Sequence, residues 1–579
     1  MLNDSAMAAS NGGRGRSAIA RQKNKIAPDL RDSGRRKSGG DLVKVIIQLN
    51  DRISGPLTNL LSGNGIKVKR YKNFNVLAVQ LPPSVIDSLQ SFPEVQFVSS
   101  DSEVRSLGGH IAQTTGTENV RSMAPGGNTL DGSGIGIAVL DSGIYGSHDA
   151  FTDAQTGRSR IVVSQDFTGE GRTDDPYGHG THVTAAAAGN GLVSKGQYIG
   201  IAPKANIITL RVPNSKGVGS VSSVISALDW VIDKSSIYNI RVVNMSLGMP
   251  AINSYQTDPI CITARRLVDA GIVVVAAAGN NGKNSLGQKV YGQIHSPGNE
   301  PSIITVGAVD TKGSNDRGDD SVATYSSRGP TRSFWTDING VKHFDNLIKP
   351  EISAPGNKTV FAQSPGNLLV RQNPALQAFV SLSPQREHMR LSGTSMASPL
   401  VAGAAALLLQ ANPTLTPNMV KSLLMYTAQQ LSGFNMFEQG AGELNVDGAV
   451  RLAQLVRTDL NSTTALGSPL LTSAPPPAQT SISYSEQIWK ANSFGFPVLT
   501  TRYGTCNFQW SQGIIVGSTY ASGSSLITDY QKIYAQGVLL GDGVLLGDGV
   551  LLGDGVLLGD GVLLGDSILI SNGTTMGEG

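Results

Sequence analysis

The chain has 579 residues, 40% of them apolar and 15% charged, with 69 glycines and 2 cysteines. Globular chains carry about 25% charge and about 7% Gly, so a charge-rich disordered chain and a coiled coil are excluded. Two cysteines also exclude a disulfide-stapled miniprotein. The net charge of +3 is uneven: residues 1–40 hold nine Lys/Arg against three Asp, a local +6, and the remaining 539 residues sum to −3. A nearly neutral body argues against nucleic acid as a partner.

Residues 1–40 read as a basic, disordered leader. No apolar core follows it, as a secretory signal would require, and the Arg35-Arg36 pair leads into the polar SGGDLVK. Residues 41–105 read as a small α+β domain. Val43–Leu49, Phe74–Leu81 and Val95–Ser99 are strand-like, and Pro56–Leu61 and Ser84–Ser91 are helix-like. A β-α-β-β-α-β order, ferredoxin-like, fits them.

Residues 106–457 change to short buried strands alternating with helices. The strands are expected at Ile135–Leu140, Ile207–Val212, Val242–Met245, Ile272–Ala277 and Ile303–Val306. Their β-branched runs lack polar alternation, the mark of strands covered on both faces. Helices are expected at about 222–234, 259–270, 395–411 and 417–430, the last opening with Thr416-Pro417. This is an α/β layout, a doubly wound and mostly parallel sheet, whose ligands bind beyond the carboxyl ends of the strands. The longest apolar run, Leu400–Leu409, is about half the roughly 18 residues of a membrane span. Cys261 and Cys506 lie in no metal-ligand spacing.

Residues 458–536 read as a linker with room for a small β-rich appendage. Residues 537–566 are five copies of GVLLGD, and 567–579 form a polar tail. A hexapeptide solenoid coil takes about three hexads, so this array gives fewer than two coils, below the roughly three that stacking needs. Tight turns at the Asp-Gly junctions would suit a small sheet, and exact repetition equally suits low-complexity sequence.

Three segments place a reactive residue at a strand end or helix start. In GIGIAVLDSGI, Asp141 closes a buried strand; in DPYGHGTHVTAAAAG, His179 sits between glycines before a helix; in LSGTSMASPLVAGAAALLL, Ser395 opens a helix. Singly each has a bland reading as cap, loop or helix start. Together they supply a hydroxyl nucleophile, an imidazole base and a carboxylate to orient that base.

The segments DSGI, HGTHV and GTSMASP resemble the three signature segments of the subtilisin-like serine proteases, in the same order Asp…His…Ser. The resemblance spans about residues 110–450 and includes SPGNEPSIITVGAVD, ATYSSRGPT and KPEISAPG. It implies a serine endopeptidase acting on polypeptides through Asp141, His179 and Ser395. VVNMSLG at 242–248 is similar to the family's substrate-binding strand, and GIVVVAAAGNNG at 271–282 to the segment carrying its oxyanion-hole amide. Asn280 would then stabilise the oxyanion with the backbone N–H of Ser395. The 41–105 domain resembles the family's inhibitory propeptides, which implies a self-processing zymogen inhibited by its own propeptide and cut near Val104–His110.

Extended substrates pair with strands flanking the cleft, here expected at Gly217–Ser220, including Gly219, and at Ser246, Leu247 and Gly248. Ala277, Ala278 and Gly279 would wall the specificity pocket, with its far side near Ile294–Pro297. Alignment on SPG puts His295 at a pocket-floor position where many relatives carry Gly; the alternative is a surface-loop histidine. His148 and His182 match family positions and read as structural. A family calcium site has Ala150 at the matching position, with Asp149 one place early, and calcium needs several oxygen ligands. This site is therefore not carried over; no cofactor is required for the chemistry, and a structural calcium elsewhere stays open. Residues between Gly356 and Leu391 form an insertion, expected as a surface excursion near the nucleophile.

The leading expectation is a broad-range endopeptidase. Its rivals are a narrow processing protease, or a chain whose C-terminal repeats serve assembly with proteolysis secondary. The family implies an extracellular enzyme, a cytoplasmic one being the alternative; no oligomeric state is written in the sequence.

Overall fold

The computed structural model describes residues 25–27, 30, 42–50, 52–64, 66–71, 74–101, 109–121, 129–153, 155–472, 499–503, 506–523, 525–530, 534, 568–569 and 575–576. The GVLLGD array lies outside them. The chain divides into two units, Met1–Ser106 and Leu107–Gly579.

The first unit is built on β1 (Val43–Leu49), α1 (Gly55–Asn64), β2 (Ile66–Arg70), β3 (Val76–Leu81), the short α2 (Pro83–Ile86) and β4 (Val95–Ser100). All neighbours in the sheet order β2-β3-β1-β4 are antiparallel. Alternation sends Val45, Ile47 and Leu49 of β1 and Leu77, Val79 and Leu81 of β3 to one face. There they pack with Leu57, Leu61, Ile86 and Leu89. The helix expected over Ser84–Ser91 starts one residue earlier, at Pro83, and tightens into a 3₁₀ turn over Asp87–Ser91. Ile26, within the stretch read as a leader, is buried in this core and bridges to Val98.

The second unit carries β5 (Gly136–Asp141), β6 (Ile161–Asp166), α3 (His179–Ala188), β7 (Asn206–Arg211), α4 (Val221–Lys234), β8 (Ile240–Met245), α5 (Pro259–Asp269), β9 (Val273–Ala277), β10 (Ile304–Asp310), β11 (Ser321–Val322) and β12 (Ile352–Pro355). These are followed by α6 (Thr394–Ala411), α7 (Pro417–Thr427) and α8 (Val446–Leu455). The sheet runs β11-β10-β9-β8-β5-β7-β6, with β12 also on β10. Every pair is parallel except β10–β11. Helices α4 and α5 share one core with one face, while α3, α6, α7 and α8 share the other. The α/β, doubly wound architecture is the expected one.

Three strands of this sheet were not anticipated. β6 is an edge strand whose polar residues break the apolar run, β11 is only two residues long, and β12 ends in Pro355. α6 is apolar and long enough to cross a membrane, yet 83% of its most apolar window is buried inside the unit. α7 is buried on every side, because described residues of the stretches 508–516 and 526–530 join its core. The hairpin Gly513–Val516/Thr519–Ser522 adds Ile514, Ile515 and Ala521 to the core, and Trp510 is buried beside them.

Candidate active site

Three of the segments singled out above lie at carboxyl ends of neighbouring strands. Asp141 ends β5, Ser246 follows β8, and Ala278–Asn280 follow β9. Asp141 is 4% exposed. Its Oδ1 accepts from the N–H of Ser142 at 2.7 Å and lies 2.8 Å from Nδ1 of His179, the first residue of α3. Arg211, the register neighbour of Asp141 on β7, donates instead to the Ser142 carbonyl at 3.1 Å and pairs with Glu170 at 2.5 Å, pinning the turn after β5.

The turn and the helix start are cross-braced by Asp175, which the sequence reading passed over. Its carboxylate accepts from Ser142 Oγ at 2.7 Å, Gly178 N–H at 2.7 Å and Thr181 N–H at 2.8 Å. The N–H of Gly180 donates to Ser142 Oγ at 2.9 Å. A Cβ on Gly180 would fall 2.3 Å from the Gly143 carbonyl oxygen, so the close approach requires glycine. Burial raises the Asp175 carboxyl pKa against these hydrogen bonds. For His179, burial is the largest single effect and lowers the pKa. The charge of Asp141, its hydrogen bond and the charge of Asp175 together outweigh it, so the net shift is upward.

Ser395 is the second residue of α6 and is half-buried. Its carbonyl accepts from Ser246 Oγ at 2.8 Å, and Ser246 Oγ in turn accepts from Asn244 Nδ2 at 2.9 Å. The helix start is thereby tied to the end of β8. Thr394, also passed over, ties it to the end of β9. Its Oγ1 accepts from Gly279 N–H at 3.1 Å, and its N–H donates to Oδ1 of Asn280 at 2.9 Å. Because a backbone N–H can only donate, this bond fixes the Asn280 amide with its oxygen toward Thr394. A Cβ on Gly393 would stand 3.4 Å from Asn280 Nδ2 and 3.6 Å from its Oδ1.

The substrate-binding candidates fall around these groups. Gly217 and Gly219 belong to a turn closed by the Pro213–Gly219 bridge and by Asn214 N–H on the Val218 carbonyl at 2.8 Å. Leu247 and Gly248 lead into Met249–Pro250, which pairs antiparallel with His295–Ser296. Ala277 and Ala278 are buried. The His295 ring lies against both glycines: a Cβ on Gly279 would fall 2.8 Å from the ring, and one on Gly248 would fall 3.1 Å from the His295 Cβ. Its Nε2 is 2.9 Å from Asn281 Nδ2 and accepts from it, and burial lowers its pKa.

The stretch between Gly356 and Leu391 reaches the backbone just ahead of His179 rather than standing wholly off the surface. Thr359–Ala362 pairs with His388–Leu391, the strand that leads to Ser395. Beyond that hairpin, Leu368 N–H donates to the Pro176 carbonyl at 2.9 Å and Leu369 N–H to the Tyr177 carbonyl at 3.3 Å. Asn367 is fully buried against Gly178. Asp149 pairs with Arg386 of the same excursion at 2.7 Å. His148 donates from Nε2 to the Glu387 carbonyl and accepts at Nδ1 from Ala150 N–H, while His182 donates from Nε2 to the Thr359 carbonyl. Both are held neutral in structural positions.

The sequence profile of the subtilase family matches residues 132–445. Serine protease AprX of Bacillus subtilis is 34% identical over 394 residues, covering 66% of this chain and 80% of that protein. Subtilisin E of the same organism is 31% identical over 399 residues, 68% of this chain and 85% of the relative. An alkaline protease of Alkalihalobacillus alcalophilus is 30% identical over 383 residues, 66% and 80% respectively.

Proposed function

The chain belongs to the subtilase family and is a subtilisin-like serine endopeptidase; we propose that it works through Asp141, His179 and Ser395, with Asn280 Nδ2 and the Ser395 N–H as oxyanion donors. One observation carries the assignment, the 2.8 Å contact between Asp141 Oδ1 and His179 Nδ1. An ionised carboxylate only accepts, so Nδ1 bears the proton and Nε2 keeps the lone pair that a general base needs.

Ser395 Oγ bonds to the scissile carbonyl carbon while its proton passes to His179 Nε2, and the carbonyl π pair moves onto oxygen. The two donors stabilise that oxyanion where its charge develops. Asp141 stabilises the imidazolium. Collapse breaks the C–N bond, the leaving amine takes the proton from Nε2, and an acyl-Ser395 ester remains. Water repeats the sequence and releases the acid.

Residues 41–105 act in this reading as an inhibitory propeptide, removed near Val104–His110; their separate core, ahead of the catalytic unit in the chain, supports it. His295 would exclude large aromatic side chains at the residue before the scissile bond, which its packing on Gly248 and Gly279 supports. Expression with intact mass and N-terminal sequencing, for wild type and Ser395→Ala, tests both proposals about processing and the nucleophile. The variant should accumulate full-length chain and resist fluorophosphonate labelling. Self-maturation of Ser395→Ala at the wild-type rate overturns the zymogen, and labelling of a residue other than Ser395 overturns the nucleophile. A peptide-library profile led by Phe or Tyr before the scissile bond overturns the role of His295.

A further inference from the structure

We propose that Asn367 is a positioning residue for the catalytic base: packed against Gly178, it stops the loop ahead of His179 from shifting and so keeps the imidazole in place for proton transfer from Ser395. This rests on the catalytic reading above and adds to it a residue that lies outside the three signature segments.

His179 has a glycine on either side, and Gly178 has φ +101°. Glycine gives the backbone more conformational freedom than any other residue, so the hold on this peptide has to come from other segments. Asp175 supplies it on one side, accepting from the Gly178 N–H at 2.7 Å. The excursion supplies it on the other. Leu368 N–H donates to the Pro176 carbonyl at 2.9 Å and Leu369 N–H to the Tyr177 carbonyl at 3.3 Å. Asn367 is fully buried, and a Cβ on Gly178 would fall 2.7 Å from its Cβ.

Asn367 is itself fixed. Its Nδ2 donates to the Ser364 carbonyl at 2.6 Å, and its Oδ1 accepts from Val370 N–H at 2.9 Å as the cap of the short helix Leu368–Gln372. Both ends of the amide are engaged within the excursion, so its bearing on Gly178 is steric. The same limb grips α3 a second time. The Thr359 carbonyl accepts from His182 Nε2 at 3.1 Å, and the Phe361 ring stands edge-on to His182 with 5.4 Å between centres. His182 lies about one turn along α3 from His179. The base therefore stands between two holds made by one continuous limb, on residues 176–178 and on His182. The returning limb is pinned as well, by Arg386 on Asp149 at 2.7 Å and by His148 on the Glu387 carbonyl at 2.8 Å. Misplacing a catalytic group by about 1 Å costs about 10²-fold in rate. Truncating Asn367 opens room beside a glycine that has no side chain to brace it, and the displacement falls on the imidazole of the next residue.

The test compares Asn367→Ala, Asn367→Ser and Asn367→Leu with wild type as matured full chains, each rate normalised to the sites that fluorophosphonate titrates to completion. Asn367→Ala should lower kcat by about 10- to 100-fold with KM nearly unchanged. The acid limb of its rate profile should move down toward ~6.5, because a loosened imidazole loses part of the Asp141 contact that shifts it upward. The other titratable groups around His179, namely Asp175, Tyr177 and His182, are unaltered by the substitution. Asn367→Ser keeps an acceptor for Val370 N–H without filling the space, so it should behave as the alanine variant does, and it stands in for that variant should it fail to fold. Asn367→Leu fills the space without the cap and should recover most of the lost kcat, even at a lower melting temperature. A residue serving folding alone would cost stability in both the alanine and leucine variants and leave kcat per titrated site and the acid midpoint unchanged. That result overturns the inference, as does recovery by serine and none by leucine. A wild-type chain that neither hydrolyses peptide nor takes up fluorophosphonate overturns the catalytic reading and this inference with it.

Discussion

Replacing Glu351 by Gln should destabilise the catalytic unit by about 3–5 kcal/mol, the range for removing one partner from a buried ion pair. Glu351 is 1% exposed. Its Oε1 is 2.7 Å from Lys349 Nζ and 2.8 Å from Lys421 Nζ, and its Oε2 accepts from Thr305 N–H at 2.7 Å. Both ammonium groups are buried, so the neutral amide leaves two cations facing each other in a dry interior. The other contacts of the lysines are carbonyl oxygens and one hydroxyl. Burial already lowers Lys421 to about 8, against the pull of Glu351. From 10.5 to about 8 is 2.5 pH units, or about 3 kcal/mol at ~1.36 kcal/mol per unit. The sign follows from proton uptake. Between pH 8 and 10.5 the unfolded chain binds the proton that folded Lys421 releases, so stability rises with pH across that window. In Glu351→Gln the folded pKa drops further, so the deficit is largest near pH 7 and shrinks by pH 9.5. Denaturant unfolding of both chains in a Ser395→Ala background, which prevents self-digestion, reads the difference. A loss below about 1 kcal/mol at pH 7, or a deficit that widens toward pH 9.5, would refute the argument. The network also reaches the segment that carries His295, because Lys349 Nζ donates to the Glu300 carbonyl and Thr305 Oγ1 to that of Gly298.

Peptidase rate should fall with acidification at a midpoint above ~6.5, because His179 is shifted upward and its imidazolium cannot take the Ser395 proton; an initial-rate profile undiminished at pH 4 would contradict this. Stability should fall between about pH 6.5 and 4, since burial holds His182 near 3 and His388 near 4 while the unfolded chain protonates them at their ordinary value; His388 alone contributes about 3 kcal/mol, and a flat unfolding free energy over that range in Ser395→Ala would count against it. Asn280→Ala should lower kcat by about 10²–10³ with little change in KM, the size known for the corresponding donor of subtilisin, and a kcat within threefold, on the order of the wild-type value, would remove Asn280 from the oxyanion role. Trp510→Ala should cost about 3–5 kcal/mol because its ring is buried against α7 and α8 and its Nε1 donates to Thr501 Oγ1 at 2.8 Å; a melting temperature equal to that of the parent chain would show the C-terminal segment to be dispensable.

The strands legible in the sequence were those whose physics is local. β5, β7, β8 and β9 are short β-branched runs buried on both faces, and a run of that kind has few other stable settings. α7 was legible for a similar reason: Thr416 accepts from Met419 N–H and Pro417 occupies the first turn. The candidate site was proposed on signals of the same local kind: Asp141 ends β5, His179 opens α3, Ser395 is the second residue of α6, and Asn280 follows β9 within a short motif. What escaped depends on partners distant in the chain. Asp175 looks like one of two adjacent acids in a polar loop, and only the fold brings Ser142 and Thr181 to its two oxygens. Trp510 sits in a segment without periodicity, and its burial is decided by α7 and α8. The excursion shows the limit most clearly. A stretch containing Pro, Gln and Arg reads as solvent-facing, and its exposed Val380 and Leu382 agree with that. Its role is nevertheless set by Asn367, Leu368 and Leu369, which meet the backbone of residues 176–178 nearly two hundred positions upstream. The glycines at 178, 180 and 217 were visible as glycines from the start, but what fills the place of each missing Cβ is an amide side chain, a carbonyl oxygen and a phenol ring supplied by other segments. Composition records that glycines are abundant, and only the tertiary structure assigns the neighbours that make each close approach necessary.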